Sequence, residues 1–197
     1  MRDLQAANSP FYLNTLLQIR DFKKNNNSNE DLVLSREEIQ QAVSASNLDA
    51  DADYQRVLAV QKINEALDGE EPLKTYKALE NPSAQLPTVM APAAKLYHVE
   101  FCNIRDEKQA PLDYDEIVGG VQVLTAIAQI NQAIDTGNSG LTLQALYNPD
   151  AHIQDVEHDC AEKYHQSLLN AKAEKAGAPC EMLTHFEIQS EIHVVNQ

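Results

Sequence analysis

A chain of 197 residues, 43% of them apolar, is long enough for a domain of ordinary size with a real core. Fifteen Lys and Arg against thirty Asp and Glu leave a formal net charge of −15. Such a surface repels nucleic acid and anionic headgroups and favours protein partners instead. No window approaches the ~20 apolar residues of a membrane span. The N-terminal stretch also has no signal-peptide or transit-peptide pattern. The odd set Cys102, Cys160 and Cys180 has no framework spacing, which suggests free thiols in a reducing, intracellular compartment.

In chain order, Tyr12, Leu16 and Ile19 come first, at the i, i+4, i+7 spacing of one helical face. "KKNNNSNED" at 23–31 reads as a polar, mobile loop. "LSREEIQ" at 34–40 reads as a helix start. Ser35 and Glu38 have capping-box spacing, and Leu34 with Ile39 has hydrophobic-staple spacing. The same four roles recur at Leu112, Asp113, Glu116 and Ile117, and again at Leu183, Thr184, Glu187 and Ile188. The Ile-Gln pairs lack the Arg-Gly and the basic helix of a calmodulin-binding IQ motif.

"INEALD" at 63–68 matches "INQAID" at 130–135. From there 63–104 aligns without a gap on 130–171, and fifteen of the 42 positions are identical at an offset of 67. Self-similarity at a fixed offset is the mark of a repeat protein. Each unit reads as three helices. The first runs from the cap to Asp68-Gly69 or to Asp135-Thr136-Gly137. A short second helix, 72–80 or 139–147, is ended by Asn-Pro. An extended bridge follows, tacked to the core by Leu86/Ile153 and Val89/Val156, and the third helix covers 92–108 or 159–175. Tyr97, Phe101 and Ile104, like Tyr164, Leu168 and Ala171, form its apolar stripe.

Ile39 to Ile63 is 24 residues but Ile117 to Ile130 is 13. The extra eleven amount to about three turns and keep the apolar face in register. One long helix over about 35–67 is therefore expected; the competing reading is a break near Asn47–Asp53, where helix propensity is poor.

Chemistry is sparse. "DADAD" at 49–53 imitates the opening of a calcium loop, but Tyr54 and Val60 stand where that loop needs Gly and Glu. His152, His158, Asp159, Cys160 and His165 are the densest set of donors and lack zinc spacing. Cys160 and His165 have no orienting third group for a nucleophile. Asn64 and Asn131 share a face with apolar residues and must find partners if buried, which suits holding a loop or fixing register. Tyr97 and Tyr164 read as core residues with satisfied hydroxyls. Gly119-Gly120 lies inside a helix and marks close helix–helix approach. No catalytic, cofactor-binding or metal residue is assigned.

Leu34–Asn47, Ile63–Asp68, Ala78–Pro82 and Ala94–Tyr97 in one unit, with Ala126–Asp135, Ala145–Pro149 and Ala161–Tyr164 in the next, resemble the internal repeats of the IQGAP family. These are IQ-motif-containing, Ras GTPase-activating-like scaffolds. Leu183–Asn196 opens a further copy. Val118-Gly119-Gly120, in place of a Gln-led stretch, and Thr136 before Gly137 depart from the pattern. The resemblance implies a cytoplasmic, cortical cytoskeletal scaffold. Its actin, calmodulin and Rho-family GTPase binding would sit in other modules.

The expected fold is all-α: an α-helical repeat array of about three helices per repeat, stacked as a helical bundle or solenoid. Residues 1–33 close a preceding repeat and add the Asn-rich loop. Repeats follow over 34–111 and 112–182, and 183–197 starts another, one turn or so deep. The ragged ends suggest a fragment of a longer protein. The expected role is a non-enzymatic spacer, protein-docking and self-association segment without cofactors, binding proteins that include itself and cytoskeletal or signalling partners. Neither nucleic acid nor membrane insertion is expected. The alternative is a helical calcium- or zinc-responsive sensor.

Overall fold

The structure is a computed structural model that describes residues 2–26 and 33–197. The fold is all-α, a helical repeat array with eight α-helices among the described residues. They are α1 Ser9–Asn26, α2 Arg36–Leu67, α3 Pro72–Leu79, α4 Ala94–Lys108, α5 Tyr114–Asp135, α6 Ser139–Leu146, α7 Ala161–Glu174 and α8 His185–Val195. Two compact units contain them, residues up to Leu58 and Ala59–Gln197.

The repeat is visible element by element. The short helices α3 and α6 start 67 residues apart, as do α4 and α7. Between them stand matching 3-10 turns, Pro82–Ala84 with Pro149–Ala151 and Ala91–Ala93 with His158–Cys160. Asn81 and Asn148 cap the first pair of turns by accepting from Ser83 N–H and Asp150 N–H. Gln85 and His152 leave those turns in the left-handed region, each at φ 52°. The bridges begin only after these turns, and the second is interrupted by Asp155 at φ 57°. Leu86, Val89, Ile153 and Val156 pack onto the core as the pattern required.

In the larger unit α5 is central, packed by α4, α6 and α7. Nine of its residues are buried, among them Ile117, Val121, Ile127 and Ile130. Tyr97, Phe101, Tyr164 and Leu168 are buried as well. This centrality corrects one expectation. By length and composition Tyr114–Asp135 does reach what a membrane crossing needs. Its apolar character comes from being the core helix of the array, enclosed by neighbours on several sides.

Other expectations also shift. Arg36–Leu67 is one unbroken helix, so the "DADAD" run is helical, with Asp53 paired to Arg56. The eleven-residue insertion thus adds turns without a break. Helix α1 continues to Asn26, so Lys23–Asn26 are helical where a loop was expected; the remainder of that loop lies outside the described residues. Ile104 is exposed whereas its counterparts Ile19 and Ala171 are half-buried, because the third stripe position lies at the margin of the face, where the neighbouring element decides whether it is covered. Helix α8 runs three turns rather than one. Of the two glycines in α5, only Gly120 is crowded: a Cβ there would overlap the Phe101 ring, whereas one on Gly119 would meet nothing.

Candidate functional site

What recurs in space is a joint between a helix that carries a buried tyrosine and the capped helix that follows it: α1 with α2, α4 with α5, and α7 with α8. It is built three times, around Tyr12, Tyr97 and Tyr164. Each ring is buried and each hydroxyl accepts from the backbone N–H seven residues earlier: Gln5 at 2.8 Å, Met90 at 3.1 Å and Glu157 at 3.0 Å. Each hydroxyl also meets the polar residue twelve positions past the next N-cap. Tyr12 donates to Asn47 at 2.6 Å, Tyr97 pairs with Thr125 at 2.7 Å, and Tyr164 donates to Asn196. That residue donates in turn to the backbone carbonyl nine before the tyrosine, in Asp3, Thr88 or Asp155. Asp3 and Asp155 adopt positive φ there, which Asp tolerates and a β-branched Thr does not.

The N-caps complete the joint. Ser35, Asp113 and Thr184 all form capping boxes with Glu38, Glu116 and Glu187. The same glutamates take a lysine from the last turn or C-cap of the preceding helix, eleven residues after its tyrosine. The pairs are Lys23–Glu38 at 2.8 Å, Lys108–Glu116 at 2.6 Å and Lys175–Glu187 at 2.7 Å. The lysine partners and the cap bonds hold the carboxyls of Glu38 and Glu116 below the usual range. At Glu187 burial pushes upward, but the bonds from Lys175 and Thr184 outweigh it and the net shift is down.

The glutamine of the repeated phrase has a role as well. Gln40 accepts from Arg2 N–H and donates to Arg2 C=O; Gln189 does the same with Gln154. In the middle joint Val118 replaces the glutamine, and the position ten before the tyrosine, held elsewhere by Arg2 and Gln154, is Pro87, which has no N–H to give. Tyr114 bridges there instead, donating to Gln85 C=O at 3.1 Å.

Asn64 and Asn131 fix the next cap from the other side. Asn131 Nδ2 donates to Leu183 C=O at 2.9 Å and its Oδ1 accepts from Leu183 N–H at 2.8 Å. Asn64 makes the same pair with Leu112, at 2.9 and 2.8 Å. A backbone amide at the entrance to each helix is therefore held by a side-chain amide 48 or 52 residues away. Behind the joint, Thr75 meets His98 Nδ1 at 2.7 Å and Thr142 meets His165 Nδ1 at 2.8 Å. Burial, then Arg105, pushes the His98 pKa down, so its ring is neutral at neutral pH.

The candidate reactive residues are dispersed. His165 is buried on Thr142, while Cys160 donates to Glu157 at 3.7 Å. His152 and His158 are exposed, the latter 3.8 Å from Asp159. Among the described residues no group of three or more His, Cys, Asp or Glu converges as metal ligands. With 49–53 helical, the calcium-loop half of the sensor alternative loses its geometry. A cleft of about 430 Å³ in the larger unit contains Cys180 and Lys172, but Lys172 is tied to Asp135 at 2.7 Å and to Asn131 C=O. Sequence reasoning missed the joint's lysines and the glutamine clamp. Their signal was the fixed distance of each lysine from its tyrosine.

Fold and joint together define an all-α repeat array whose repeats are coupled through tyrosine, amide and capping-box contacts. Within that class the chain is an IQGAP-like region. It is 30% identical over 164 residues to Ras GTPase-activating-like protein IQGAP3 of Homo sapiens, covering 83% of this chain and 10% of that protein. It is 30% identical over 165 residues to Ras GTPase-activating-like protein IQGAP2 of Mus musculus, again 83% and 10%, and 32% over 144 residues to the Homo sapiens IQGAP2, 72% and 9%. The chain thus spans about a tenth of the length of these relatives. No protein-family model matches it, and no solved structure matches it.

Proposed function

We propose that this chain is a non-enzymatic spacer, docking and self-association segment of an IQGAP-like cytoskeletal signalling scaffold. Its repeats are 34–111 and 112–182, with 1–33 closing an earlier one and 183–197 opening a later one. The observation that carries this is the joint itself, built three times from polar groups that all hold helix to helix. Such a segment sets distance and presents surface. Exposed apolar side chains such as Leu73, Phe186 and Val194 offer that surface to proteins. The net charge of −15 favours partners with basic faces. Actin, calmodulin and Rho-family GTPase contacts belong to other modules of the parent, at the cytoplasmic cortex.

Light scattering of the chain from low to high micromolar tests the reading, together with titration against the purified parent scaffold. Concentration-dependent growth in mass, or saturable binding, is expected. A monomer at every concentration that also ignores the parent would overturn it.

A further inference from the structure

Helix α1 is the third helix of a repeat, equivalent to α4 and α7 through the tyrosine joint. Residues Leu13, Leu17 and Arg20 occupy the places of His98, Cys102 and Arg105 in α4. In α4 those three face the end of α2 and the short helix α3: His98 meets Thr75, Cys102 donates to Leu67 C=O at 3.6 Å, and Arg105 pairs with Asp68 at 2.7 Å. In α7 the cation at the last place, Lys172, pairs with Asp135. In α1 these positions lie open. Leu13 is 62% exposed and Leu17 37%, and among the described residues Arg20, with 54% of its side chain exposed, pairs with its neighbour Asp21 at 3.4 Å. Leu34 differs in the same way. Its counterparts Leu112 and Leu183 are buried and held by Asn64 and Asn131, but Leu34 is half-buried and receives no such amide among the described residues.

We propose that the face bearing Leu13, Leu17 and Arg20, with the Leu34 backbone at its edge, is a seat for a helical hairpin of this chain's own repeat type. The hairpin's first helix ends in Asn-x-x-x-Asp. The Asn takes the backbone of Leu34 and the Asp pairs with Arg20. Its short second helix lays an apolar residue, in the place of Thr75, on Leu13. Charge complementarity selects the aspartate, because both equivalent cations in the array hold one. The two leucines select an apolar partner where α4 and α7 use a His–Thr pair. The inference rests on the equivalence of the three joints and is independent of the docking role proposed above.

The test duplicates residues 59–86, with Thr75→Val in the added copy to supply the apolar partner, directly ahead of Arg2, which keeps register because Pro87 corresponds to Arg2. Hydrogen exchange is read on the α1 amides and on Leu34 in this chain and in the unmodified one. At least tenfold slower exchange is expected on both. Arg20→Glu should abolish the slowing, and Asp68→Arg in the added copy alone should restore it to the Arg20→Glu chain. Unchanged exchange in α1, or no restoration by the charge swap, overturns the proposal.

Discussion

Asn64 and Asn131 allow an internal comparison. They make the same three hydrogen bonds, to the backbone of the leucine that precedes the next cap and to the carbonyl four residues back. They differ in burial: Asn131 is fully buried and Asn64 is half-buried. Removing Asn131 by substitution with Ala loses three bonds of about 1 kcal/mol net each. It also strands the N–H and C=O of Leu183, itself 1% exposed, at a further cost of about 1–3 kcal/mol. At the low end of that range the expected total is about 4 kcal/mol. Asn64→Ala should cost only about 2, because water can reach part of what is vacated. At about 3 °C per kcal/mol the melting temperature should fall by about 12 °C and 6 °C. Asn131→Asp at neutral pH should be worse than Asn131→Ala, since a carboxylate would face the carbonyls of Leu183 and Ile127. Urea titration with paired melting curves measures all three. Equal costs at the two sites, or Asn131→Asp milder than Asn131→Ala, would refute the reasoning.

Tyr164→Phe keeps the buried ring but leaves Glu157 N–H and Asn196 without the hydroxyl. It should cost about 1–2 kcal/mol by chemical denaturation, against about 3–5 for Tyr164→Ala. Gly120→Ala drives a methyl into the Phe101 ring and should destabilise by about 1–3 kcal/mol. Gly119→Ala, with open space around it, should instead stabilise by up to about 1. Opposite signs at adjacent positions are the expected result of a thermal melt. Glu187 has its folded pKa depressed, so its contribution is present above the unfolded value of 4.5 and is lost as pH falls through the folded one. Glu187→Gln preserves the capping spacing and should flatten that part of the acid limb of a stability–pH curve. His98 is also depressed, and its unfolded form takes up a proton first. Stability should therefore decline as pH falls below about 6.5, and less so in His98→Gln.

The helix starts were legible because a capping box is complete within four residues. Ser35, Asp113 and Thr184 each sit beside the glutamate that serves them. The short helices and their Asn-Pro stops were legible for the same reason, since proline acts on its immediate neighbours. The stripe at Ile104 was misread because a spacing rule follows an ideal helix, and which residues at its margin are covered depends on the neighbour. The apolar length of α5 could not be weighed without knowing that α4, α6 and α7 surround it.

From residues alone came the helices, their order, the 67-residue period and the likeness to IQGAP repeats. All of these are written in local contacts or in the chain's agreement with itself. Tertiary structure alone decided the joint. Lysine meets the capping glutamate, tyrosine meets a polar side chain 28 or more residues away, and an amide grips a distant leucine backbone. The reason is physical: these partners lie far apart in the chain, and some of them are main-chain atoms, which every residue carries alike. Only packing of the helices selects which of them face one another.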